Sequence, residues 1–393
     1  MMKFKNISCV KTNVCTGCSY CCSICPCNAI SMVYSKEGFL VPYIDSSKCI
    51  GCGKCLNNCP PYNKRDTSNT DIIDEYLGYS KSPDDILKSS SGAVAFAISC
   101  EFIKKTSGCV IGVSYVSNNL GYAEYTVANK IQELEQFRGS KYIQANKNNI
   151  YSFVRNESKK RKILIIGLPC EIAAFRKSIV KEYINNVYFC DLVCFGPTSS
   201  KITHDFLELI RTNVGGEGDA VVNMRYKVKN ERPYLYCRFE NGKTFCKPLY
   251  KTDYGLIFNL IGRENCAECK YINLNSEADI SIGDCIDTSS TYSIYSQMGL
   301  SRIIIRTKNG EEMVNEFGKS LILVRTEGET ERFYKNRKGR ENSDRRNNFF
   351  KSYVSKGYKK AVKETFGIIR KHKNYILSDV RYFIDNITQT SRR

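Results

Sequence analysis

The 393-residue chain contains no tryptophan and only two histidines, His204 and His372. So few histidines nearly exclude a histidine-rich metal site, and they weaken any assignment as a Ser-His-Asp hydrolase. Apolar runs are short as well, since none approaches the roughly eighteen residues that cross a bilayer. The first residues, MMKFKNISCVKTN, lack the apolar segment of a signal peptide. Together these absences predict a cytoplasmic protein with no transmembrane segment.

Two common nucleotide-binding signatures are missing too. Neither G-x-G-x-x-G nor G-x₄-G-K-[ST] occurs, which disfavours a Rossmann dinucleotide site and a P-loop. Cysteine, in contrast, is abundant, with 21 residues. Because disulfides are disfavoured in the cytosol, this density indicates thiolate-bound metal or redox chemistry. With 42% hydrophobic residues, a chain of this length can build two or three domains with real cores.

Cysteines near the N-terminus form an internal repeat. The pattern C-x₂-C-x₂-C-x₃-C-P occurs twice, shifted by 34 residues, as Cys15, Cys18, Cys21, Cys25, Pro26 and as Cys49, Cys52, Cys55, Cys59, Pro60. In this pattern three cysteines wrap one [4Fe-4S] cluster and the fourth reaches its neighbour. The predicted ligand sets are therefore Cys15, Cys18, Cys21, Cys59 for one cluster and Cys49, Cys52, Cys55, Cys25 for the other. Zinc is disfavoured, because zinc sites use paired CxxC units.

Two further cysteines in this region, Cys22 and Cys27, fall outside both ligand sets. We expect Cys22 to be a buried free thiol, which could serve as a ligand only if the register of its loop shifted. The repeat as a whole predicts a bacterial-type two-cluster ferredoxin domain over residues 1–66.

Beyond a polar linker within residues 61–71, the pattern becomes α/β. Strand candidates are CVIGVSYV, KILIIG, VYFCDL, ADISIGD and LSRIIIRT. SSSGAVAFAISCEFIKK predicts a serine-capped helix, and PCEIAAFRK predicts a helix that begins near Cys170. We expect a mixed α+β and α/β fold in which residues 67–330 form the main domain, divided into about 75–155 and 156–330, and residues 331–393 form a basic helical tail.

A hairpin is predicted in RPYLYCRFENGKTFCKPL. Asn241-Gly242 is a type I′ turn signal, and a two-residue turn there sets Cys237 directly opposite Cys246. A disulfide is geometrically conceivable, but in a reducing cytosol a cross-strand packing pair is favoured.

The formal charge of +19 is concentrated near the C-terminus. From Glu331 to Arg393 there are eighteen Lys and Arg against six Asp and Glu, a net charge of +12. One interpretation is a docking surface for an acidic partner, an anionic membrane or a nucleic acid. The other is a solvated, partly helical tail.

Four cysteines of the main domain stand out. Cys170 opens a helix, Cys194 ends a strand, and Cys266 with Cys269 forms a chelating CxxC unit. A helix N-terminus lowers the pKa of a thiol, which favours metal binding or reactivity. The residues alone leave two alternatives open, a four-cysteine site built from three segments or scattered core thiols.

Six short motifs occur in order: SSSGAVAFAI, FRGSKYIQ, GLPCEIAAFRK, DLVCFGPTS, ENCAECKY and ADISIGDC. With the N-terminal two-cluster module, this order resembles the coenzyme F420 hydrogenase/dehydrogenase beta-subunit family, from about residue 10 to about residue 365. The resemblance implies an FAD in the α/β domain and a further [4Fe-4S] cluster beside it. The positions that match the cluster's motif are Cys170, Cys194, Cys266 and Cys269.

The resemblance also implies which segments contact the flavin. The matching positions are Ser89, Ser91 and Gly92, then Arg138, Ser140 and Lys141, and then Gly167 and Pro169. Their chemistry suits a pyrophosphate, because hydroxyls and backbone N–H groups donate hydrogen bonds and basic side chains supply charge. The chain departs from the family pattern at Ala93, Leu168, Phe195 and Cys285. These departures lie near the flavin or substrate, so the use of a deazaflavin is left open.

The resemblance implies an iron–sulfur flavoprotein oxidoreductase. FAD would exchange hydride with an organic substrate or a deazaflavin-type coenzyme, and [4Fe-4S] clusters would pass single electrons to or from a ferredoxin-like carrier. The alternative is a non-catalytic electron-transfer subunit that serves a partner enzyme. A nucleic-acid-binding zinc protein is disfavoured by the cysteine spacing. No residue is singled out as a proton donor, since neither histidine has a distinctive context.

Overall fold

The computed structural model describes residues 5–63, 72–117, 119–216, 219–226, 234–271, 276–285, 299–326 and 344–367. Within these ranges, no helix is long and apolar enough to cross a membrane. A ferredoxin-like N-terminal part precedes an α/β part and a helical C-terminal part. The predicted fold class is confirmed.

The described strands are β1 (Ile30–Tyr34), β2 (Leu40–Ile44), β3 (Asp74–Ser80), β4 (Cys109–Val116), β5 (Asn119–Ala128), β6 (Ala145–Asn146), β7 (Ile163–Gly167), β8 (Val187–Leu192), β9 (Val221–Arg225), β10 (Tyr234–Phe239), β11 (Thr244–Pro248), β12 (Ile280–Asp284), β13 (Ser301–Ile305) and β14 (Leu321–Arg325). β1 and β2 form an antiparallel hairpin. A small sheet has the order β11-β10-β9, and a large sheet has the order β14-β3-β13-β12-β8-β7-β4-β5-β6.

The described α-helices with defined bounds are α1 (Tyr20–Ser23), α2 (Lys54–Asn57), α3 (Pro60–Asn63), α4 (Pro83–Lys88), α5 (Val94–Thr106), α6 (Ile150–Glu157), α7 (Pro169–Ser178), α8 (Ser200–Ile210), α9 (Asp253–Ile257), α10 (Lys308–Phe317) and α11 (Asp344–Lys356). Residues 358–367 are also helical. Short 3₁₀ segments are Ile7–Cys9, Ile131–Phe137, Lys181–Asn186, Leu249–Lys251 and Glu264–Cys266, and a π turn spans Arg211–Gly215.

The two cysteine triplets fold alike because the same backbone turns recur in each. Gly17 and Ser19 have φ values of +66° in the first loop, and Gly51 and Gly53 have φ values of +68° and +70° at the equivalent positions of the second. Glycine adopts this left-handed conformation without steric cost. Each loop then enters a short helix, α1 or α2. The sequence repeat is therefore also a repeat of backbone conformation.

The large sheet collects several loops at one edge. β4, β7, β8 and β12 are parallel neighbours, so their carboxyl ends lie together. Cys170 follows β7 and Cys194 follows β8 at this edge. β3 has the same direction as β12, so residues 89–92, which follow β3, lie at this edge. β6 has the direction opposite to β4, so residues 138–144, which precede β6, also lie at this edge. Ligands of open α/β sheets bind at such an edge.

The ferredoxin-like part packs on the α6–α7 layer of the sheet, opposite the face covered by α5 and α10. Tyr151 donates a hydrogen bond to the carbonyl oxygen of Cys18 at 2.6 Å. Tyr20 donates to the carbonyl oxygen of Lys177 at 3.0 Å. The rings of Tyr20 and Tyr151, and those of Tyr151 and Phe175, lie in contact. These buried contacts bring the first cysteine triplet against the α/β domain.

The C-terminal helices differ from the predicted tail. Phe349, Phe350 and Tyr353 of α11 and Phe366 of the last helical stretch are buried, and they complete the core of the small sheet with α8 and α9. Residues 344–367 are therefore helical, as predicted, but they are packed rather than solvated along one face. The basic residues alone could not reveal this, because the apolar face is interleaved with lysines and arginines.

The hairpin prediction was wrong by one residue. Cys237 pairs with Phe245, and Cys246 pairs with Tyr236, because the loop has three residues and ends at Gly242 with φ +83°. A shift of one residue moves a side chain to the opposite face of a sheet. Cys237 is accordingly buried and Cys246 is exposed, so they form no cross-strand pair.

The serine cap predicted for α5 was also wrong. The N-cap residue is Ala93, in the left-handed region with φ +62°, and no side chain caps the helix. Ser91 instead donates to the carbonyl oxygen of Leu300 at 2.8 Å, and the Gly92 N–H donates to Ser301 Oγ at 3.0 Å. The serines thus fasten the loop to β13.

Candidate metal centre

The second cysteine triplet lines a cavity of ≈ 320 Å³ that is partly open to solvent. The cysteines that line it are Cys25, Cys27, Cys49, Cys52 and Cys55. The Ala29 N–H donates to Cys25 Sγ at 3.3 Å, and Asn6 Nδ2 donates to Cys49 Sγ at 3.7 Å. Hydrogen bonds to sulfur are one of the ways in which proteins tune an iron–sulfur cluster. The structure thus brings together the four residues predicted to hold the second cluster, and their role as ligands stays a prediction.

Cys27 is a fifth cysteine at this cavity, outside the four predicted ligands. It lines the same cavity, and its Sγ lies 3.8 Å from Cys25 Sγ. The sequence had excluded it because it follows Pro26, outside the repeated pattern.

The first cysteine group is more deeply buried. Cys18, Cys21 and Cys59 are buried and Cys15 is half-buried. Burial raises the pKa of Cys59 to about 12, and the nearby Cys18 and Cys15 add to the rise. Burial likewise raises the pKa of Cys18, again with Cys15 close by. The four predicted ligands are therefore neighbours, and a metal centre would hold them as thiolates by its positive charge.

The third group forms a single site from three segments. A cavity of ≈ 530 Å³, partly open to solvent, is lined by Cys170, Cys194, Cys266 and Cys269. Pro169 begins α7 and sets Cys170 in its first turn. Burial raises the pKa of Cys170, followed by the charges of Glu171 and of the other three cysteines. Of the two alternatives left open by the sequence, the structure favours the assembled site over scattered core thiols.

The first and third groups share a wall. Thr16, Gln144 and Arg263 line the third cavity. Gln144 Nε2 donates to the carbonyl oxygen of Thr16 at 3.0 Å, and Arg263 Nε donates to the carbonyl oxygen of Cys15 at 2.9 Å. Arg263 Nη1 also donates to Gln144 Oε1 at 3.0 Å. These residues hold the first cysteine loop at the boundary of the third cavity.

A buried ion pair lies beside the same boundary. Lys147 is 0% exposed and Glu171 is 3% exposed, and the Lys147 ammonium contacts the Glu171 carboxylate. Tyr125 donates to Glu171 Oε2 at 2.6 Å, and Lys147 donates to the carbonyl oxygen of Ala145 at 2.8 Å. Such a pair is tolerated because its charges are matched and hydrogen-bonded. The pair puts the Lys147 ammonium near Cys18 of the first group and the Glu171 carboxylate near Cys170 of the third.

Sequence reasoning missed the connecting residues. Lys147 and Tyr151 lie in no motif that predicts a site, and Gln144 ends the motif FRGSKYIQ but was not among the residues expected to bind a cofactor. Glu171 directly follows Cys170, and Arg263 precedes Cys266 by three residues, which is the only hint that the sequence offers. Their role depends on contacts between distant segments.

The arrangement differs from a single-ion site. Among the residues that the structure describes, no three side chains of His, Cys, Asp or Glu stand together closely enough to hold one metal ion. A cubane binds each thiolate to a different iron, so its ligands lie farther apart. The four-thiol sets are chemically suited to such a cluster.

The segments of Ser89 and Arg138, which the resemblance implies contact the flavin, lie against each other. The Arg138 side chain, however, is bound to other protein groups. The Arg138 guanidinium pairs with Asp85 and stacks 3.3 Å from the centre of the Phe96 ring. Arg138 Nη1 also donates to Ser89 Oγ at 3.1 Å. Arg138 therefore does not fit the expected role of a pyrophosphate ligand.

The loop of Gly139, Ser140 and Lys141 leaves more space for a ligand. Space above Gly139, which has φ +80°, is open, and the Ser140 N–H donates to Ser90 Oγ at 2.9 Å. Lys141 donates to the carbonyl oxygens of Arg138 and Gly139 at 2.9 and 3.2 Å. This loop suits an anionic group in charge and access.

Gly167 and Pro169 lie apart from those loops. Gly167 ends β7, where an added Cβ would meet Tyr125 Oη at 2.3 Å, and Pro169 lines the third cavity. The eight positions implied by the resemblance thus fall into two groups along one edge of the sheet.

Cys22, His204 and His372 belong to none of the three predicted ligand sets. Cys22 is half-buried rather than buried as predicted, and it packs against the cluster that contains Cys21, Cys55 and Cys59. His204 lies in α8, where Nδ1 is 3.1 Å from Asn119 Oδ1. His372 lies outside the described residues.

Two family models match parts of the chain. Residues 14–62 match the model of the 4Fe-4S dicluster domain, and residues 160–330 match the model of the C terminus of the coenzyme F420 hydrogenase/dehydrogenase beta subunit. No curated protein matches the chain. A chain in a solved structure of the F420-reducing [NiFe] hydrogenase complex from Methanosarcina barkeri is 18% identical, with a TM-score of 0.47, over 76% of this chain and 94% of that one. The chain therefore contains an iron–sulfur electron-transfer module that matches a 4Fe-4S dicluster domain, followed by a segment that is similar to the C-terminal domain of the coenzyme F420 hydrogenase/dehydrogenase beta subunit.

Proposed function

We propose that the chain is an iron–sulfur flavoprotein oxidoreductase with three [4Fe-4S] clusters and one FAD. When bound, these groups would supply hydride exchange with an organic substrate or a deazaflavin-type coenzyme, and one-electron relay to a ferredoxin-like carrier. The chain would contribute binding, orientation and electrostatics. The observation that carries the proposal is the wall of Thr16, Gln144 and Arg263 between the first and third cysteine groups.

The cysteines would bind the clusters in three sets of four. Those sets are Cys15, Cys18, Cys21, Cys59; Cys25, Cys49, Cys52, Cys55; and Cys170, Cys194, Cys266, Cys269. Hydrogen bonds from backbone N–H groups would orient the sulfurs, as the Gly17 N–H does toward Cys15 Sγ at 3.4 Å and the Gly196 N–H does toward Cys194 Sγ at 3.2 Å. Donors to sulfur stabilise the reduced state of a cluster and so raise its potential.

Arg263 and the Lys147–Glu171 pair would fix the separation of the first and third sets. Arg263 is 5% exposed and bonds to the backbone of the ferredoxin-like part, so this separation cannot vary freely. Fixed spacing matters because electron transfer between centres falls steeply with distance. The charge of Lys147, close to Cys18, would also favour an added electron.

FAD would bind along the carboxyl edge of the sheet, between the Gly139–Lys141 loop and the mouth of the third cavity. Open space above Gly139 and the Lys141 ammonium support this part of the proposal. Phe195, which is 48% exposed, lines the third cavity and offers an apolar surface there. Arg138 is left out, because Asp85 and Phe96 occupy its guanidinium.

A second candidate is a non-catalytic electron-transfer subunit that serves a partner enzyme. The commitment of Arg138 to Asp85 favours it, since a lost flavin site would leave this arginine free for a structural role. The second candidate retains the iron–sulfur clusters and lacks the flavin.

Anaerobic purification of the full chain, with iron, sulfide and flavin quantitation, tests the proposal. We expect about twelve irons and one FAD per chain. Cys170→Ser should lose about four irons, while the matched Cys246→Ser, at an exposed cysteine outside every set, should lose none. About twelve irons without flavin would reject the flavoprotein enzyme and leave the electron-transfer subunit, whereas eight irons without flavin would also reject the third cluster and leave a ferredoxin-type carrier. Oxidation of reduced methyl viologen by candidate organic substrates then tests catalysis.

A further inference from the structure

The cavity of the second cysteine triplet lies directly under an exposed loop. Cys52 is exposed, Ile50 is 66% exposed, and both line that cavity. The first group, in contrast, has three buried cysteines and packs against the α/β domain through Tyr151 and Arg263. Of the two cysteine groups in the ferredoxin-like part, the second is therefore the one whose wall is also protein surface.

Lysines surround this loop. Lys48 and Lys54 flank it in sequence and are exposed, and the exposed Lys5 lies beside Gly53, whose added Cβ would be 3.4 Å from the Lys5 carbonyl oxygen. Residues 5–63 contain five lysines and two acidic residues. Of these two, Glu37 pairs with Arg346 at 2.7 Å and Asp45 pairs with Lys48 at 3.0 Å. Because Asp45 balances the charge of Lys48, Lys5 and Lys54 supply the net positive charge at the rim of the loop.

We propose that this surface, defined by Lys5, Lys48, Ile50, Cys52 and Lys54 and here called the exit face, docks an acidic one-electron carrier protein. The proposal rests on the proposed function, which requires such a partner, and it identifies where that partner binds. The basic rim complements an acidic surface and steers its approach. Ile50 supplies an apolar contact at the centre of a small, transient interface.

The step at the exit face is a single-electron transfer. One electron moves between the second cysteine site and the carrier, so one centre is oxidised as the other is reduced. No bond is made or broken, and no proton needs to move. A short path is the essential requirement, and a loop that forms both the cavity wall and the surface provides it.

The C-terminal helices are the competing basic surface. Lys359 and Lys360 are exposed on residues 358–367, but that stretch packs on the core of the small sheet rather than on the second triplet. Arg346, at the start of α11, is buried against Glu37 and the carbonyl oxygen of Gly262. These helices carry charge without lying over a cysteine cavity, and they therefore provide a matched control.

The test is stopped-flow mixing of the oxidised full-length protein with a small acidic flavodoxin reduced to its hydroquinone, whose one-electron oxidation is followed at flavin wavelengths. Lys48→Glu/Lys54→Glu should lower the bimolecular rate constant on the order of tenfold at low salt. Lys359→Glu/Lys360→Glu makes the same change in charge and should leave it within about twofold. The wild-type rate should fall between about 0.1 and 1 M salt, where the Debye length shortens from about 10 to about 3 Å.

Several outcomes overturn the proposal. An unchanged rate for Lys48→Glu/Lys54→Glu with full iron content, or an equal loss for Lys359→Glu/Lys360→Glu, moves the docking site elsewhere. Electron exchange by the wild type with methyl viologen but not with the acidic carrier rejects the exit face and leaves the proposed function standing. Exchange with neither, in protein that holds its iron, rejects the proposed function itself.

Ile50→Glu provides an independent readout. It adds a negative charge at the centre of the exit face and removes the apolar contact, so its effect should persist at high salt. Lys48→Glu/Lys54→Glu should lose most of its effect there, because screening removes the electrostatic term. If both variants respond to salt alike, Ile50 makes no docking contact.

Discussion

Arg263 Nε donates a hydrogen bond to the carbonyl oxygen of Cys15 at 2.9 Å, and this contact ties the first cysteine loop to the wall of the third cysteine cavity. Nη1 of the same guanidinium donates to the carbonyl oxygen of Leu40 and to Gln144 Oε1, both at 3.0 Å. One side chain therefore satisfies acceptors from two cysteine-bearing parts of the molecule. Because it is buried, it also fixes their relative position.

Arg263→Met should lower the free energy of unfolding by about 2–4 kcal/mol, because the substitution leaves buried oxygen acceptors without their donor. Denaturant unfolding of the anaerobic protein, followed by circular dichroism, measures this change. Arg325→Met is the matched control, since Arg325 pairs with Asp74 but its side chain is 64% exposed, and it should cost less than about 1 kcal/mol. An equal decrease in the free energy of unfolding of the two variants would show that Arg263 does not position the cysteine loop.

Substitutions of Cys25 and of Cys27 should have different effects on the iron content, although both residues line the second cavity. Cys25→Ser should lose about four irons per chain, because Cys25 is the fourth ligand in the repeated pattern. Cys27→Ser should keep its iron. Iron and sulfide analysis with electron paramagnetic resonance of the reduced protein distinguishes the two. A Cys25→Ser protein that retains full iron would instead identify Cys27 as a replacement ligand.

Lys141 should give the stability of the apoprotein a pH dependence. Burial lowers the pKa of its ammonium to about 7, from 10.5 for an ordinary lysine. Between these values the unfolded chain binds more protons at this residue than the folded chain, so the free energy of unfolding contributed by Lys141 rises with pH across that window. Lys141→Met should flatten the rise, measured by denaturant unfolding at several pH values from about 7 to about 10.

The control for that experiment is Lys160→Met, at a lysine whose side chain is 69% exposed. It should leave the pH dependence as in the wild type. A bound phosphate group near Lys141 would raise the ammonium pKa. Flavin-loaded protein should therefore show a shallower dependence than the apoprotein, and identical curves would argue against an anion at this loop.

Phe349→Ala should destabilise the protein by about 3–5 kcal/mol, because Phe349 is 1% exposed in the core that the C-terminal helices complete. Val354→Ala, on the same helix at 46% exposure, should cost less than about 1 kcal/mol. Thermal or denaturant unfolding measures both. If Phe349→Ala behaves like Val354→Ala, α11 is not part of the folded core.

Much of the fold could be predicted where neighbouring residues decide the structure. β4 spans Cys109–Val116, as the apolar run CVIGVSYV predicts, and α7 begins at Pro169, one residue from the expected start. The two cysteine loops share their turns because glycines recur at 17 and 51. The hairpin failed at one residue, since Asn-Gly is compatible with loops of two and three residues.

The sequence by itself determined the local ligand geometry, because the spacing of each triplet and the left-handed turns between its cysteines involve residues only a few positions apart. Only the tertiary structure decided that Cys170, Cys194 and the Cys266–Cys269 pair surround one cavity, and that Arg263 joins it to Cys15. It also decided that the C-terminal helices pack on the small sheet rather than forming a tail. These relationships depend on strand ends that lie side by side and on buried donors that bond to acceptors on distant segments. A local sequence pattern therefore does not predict them.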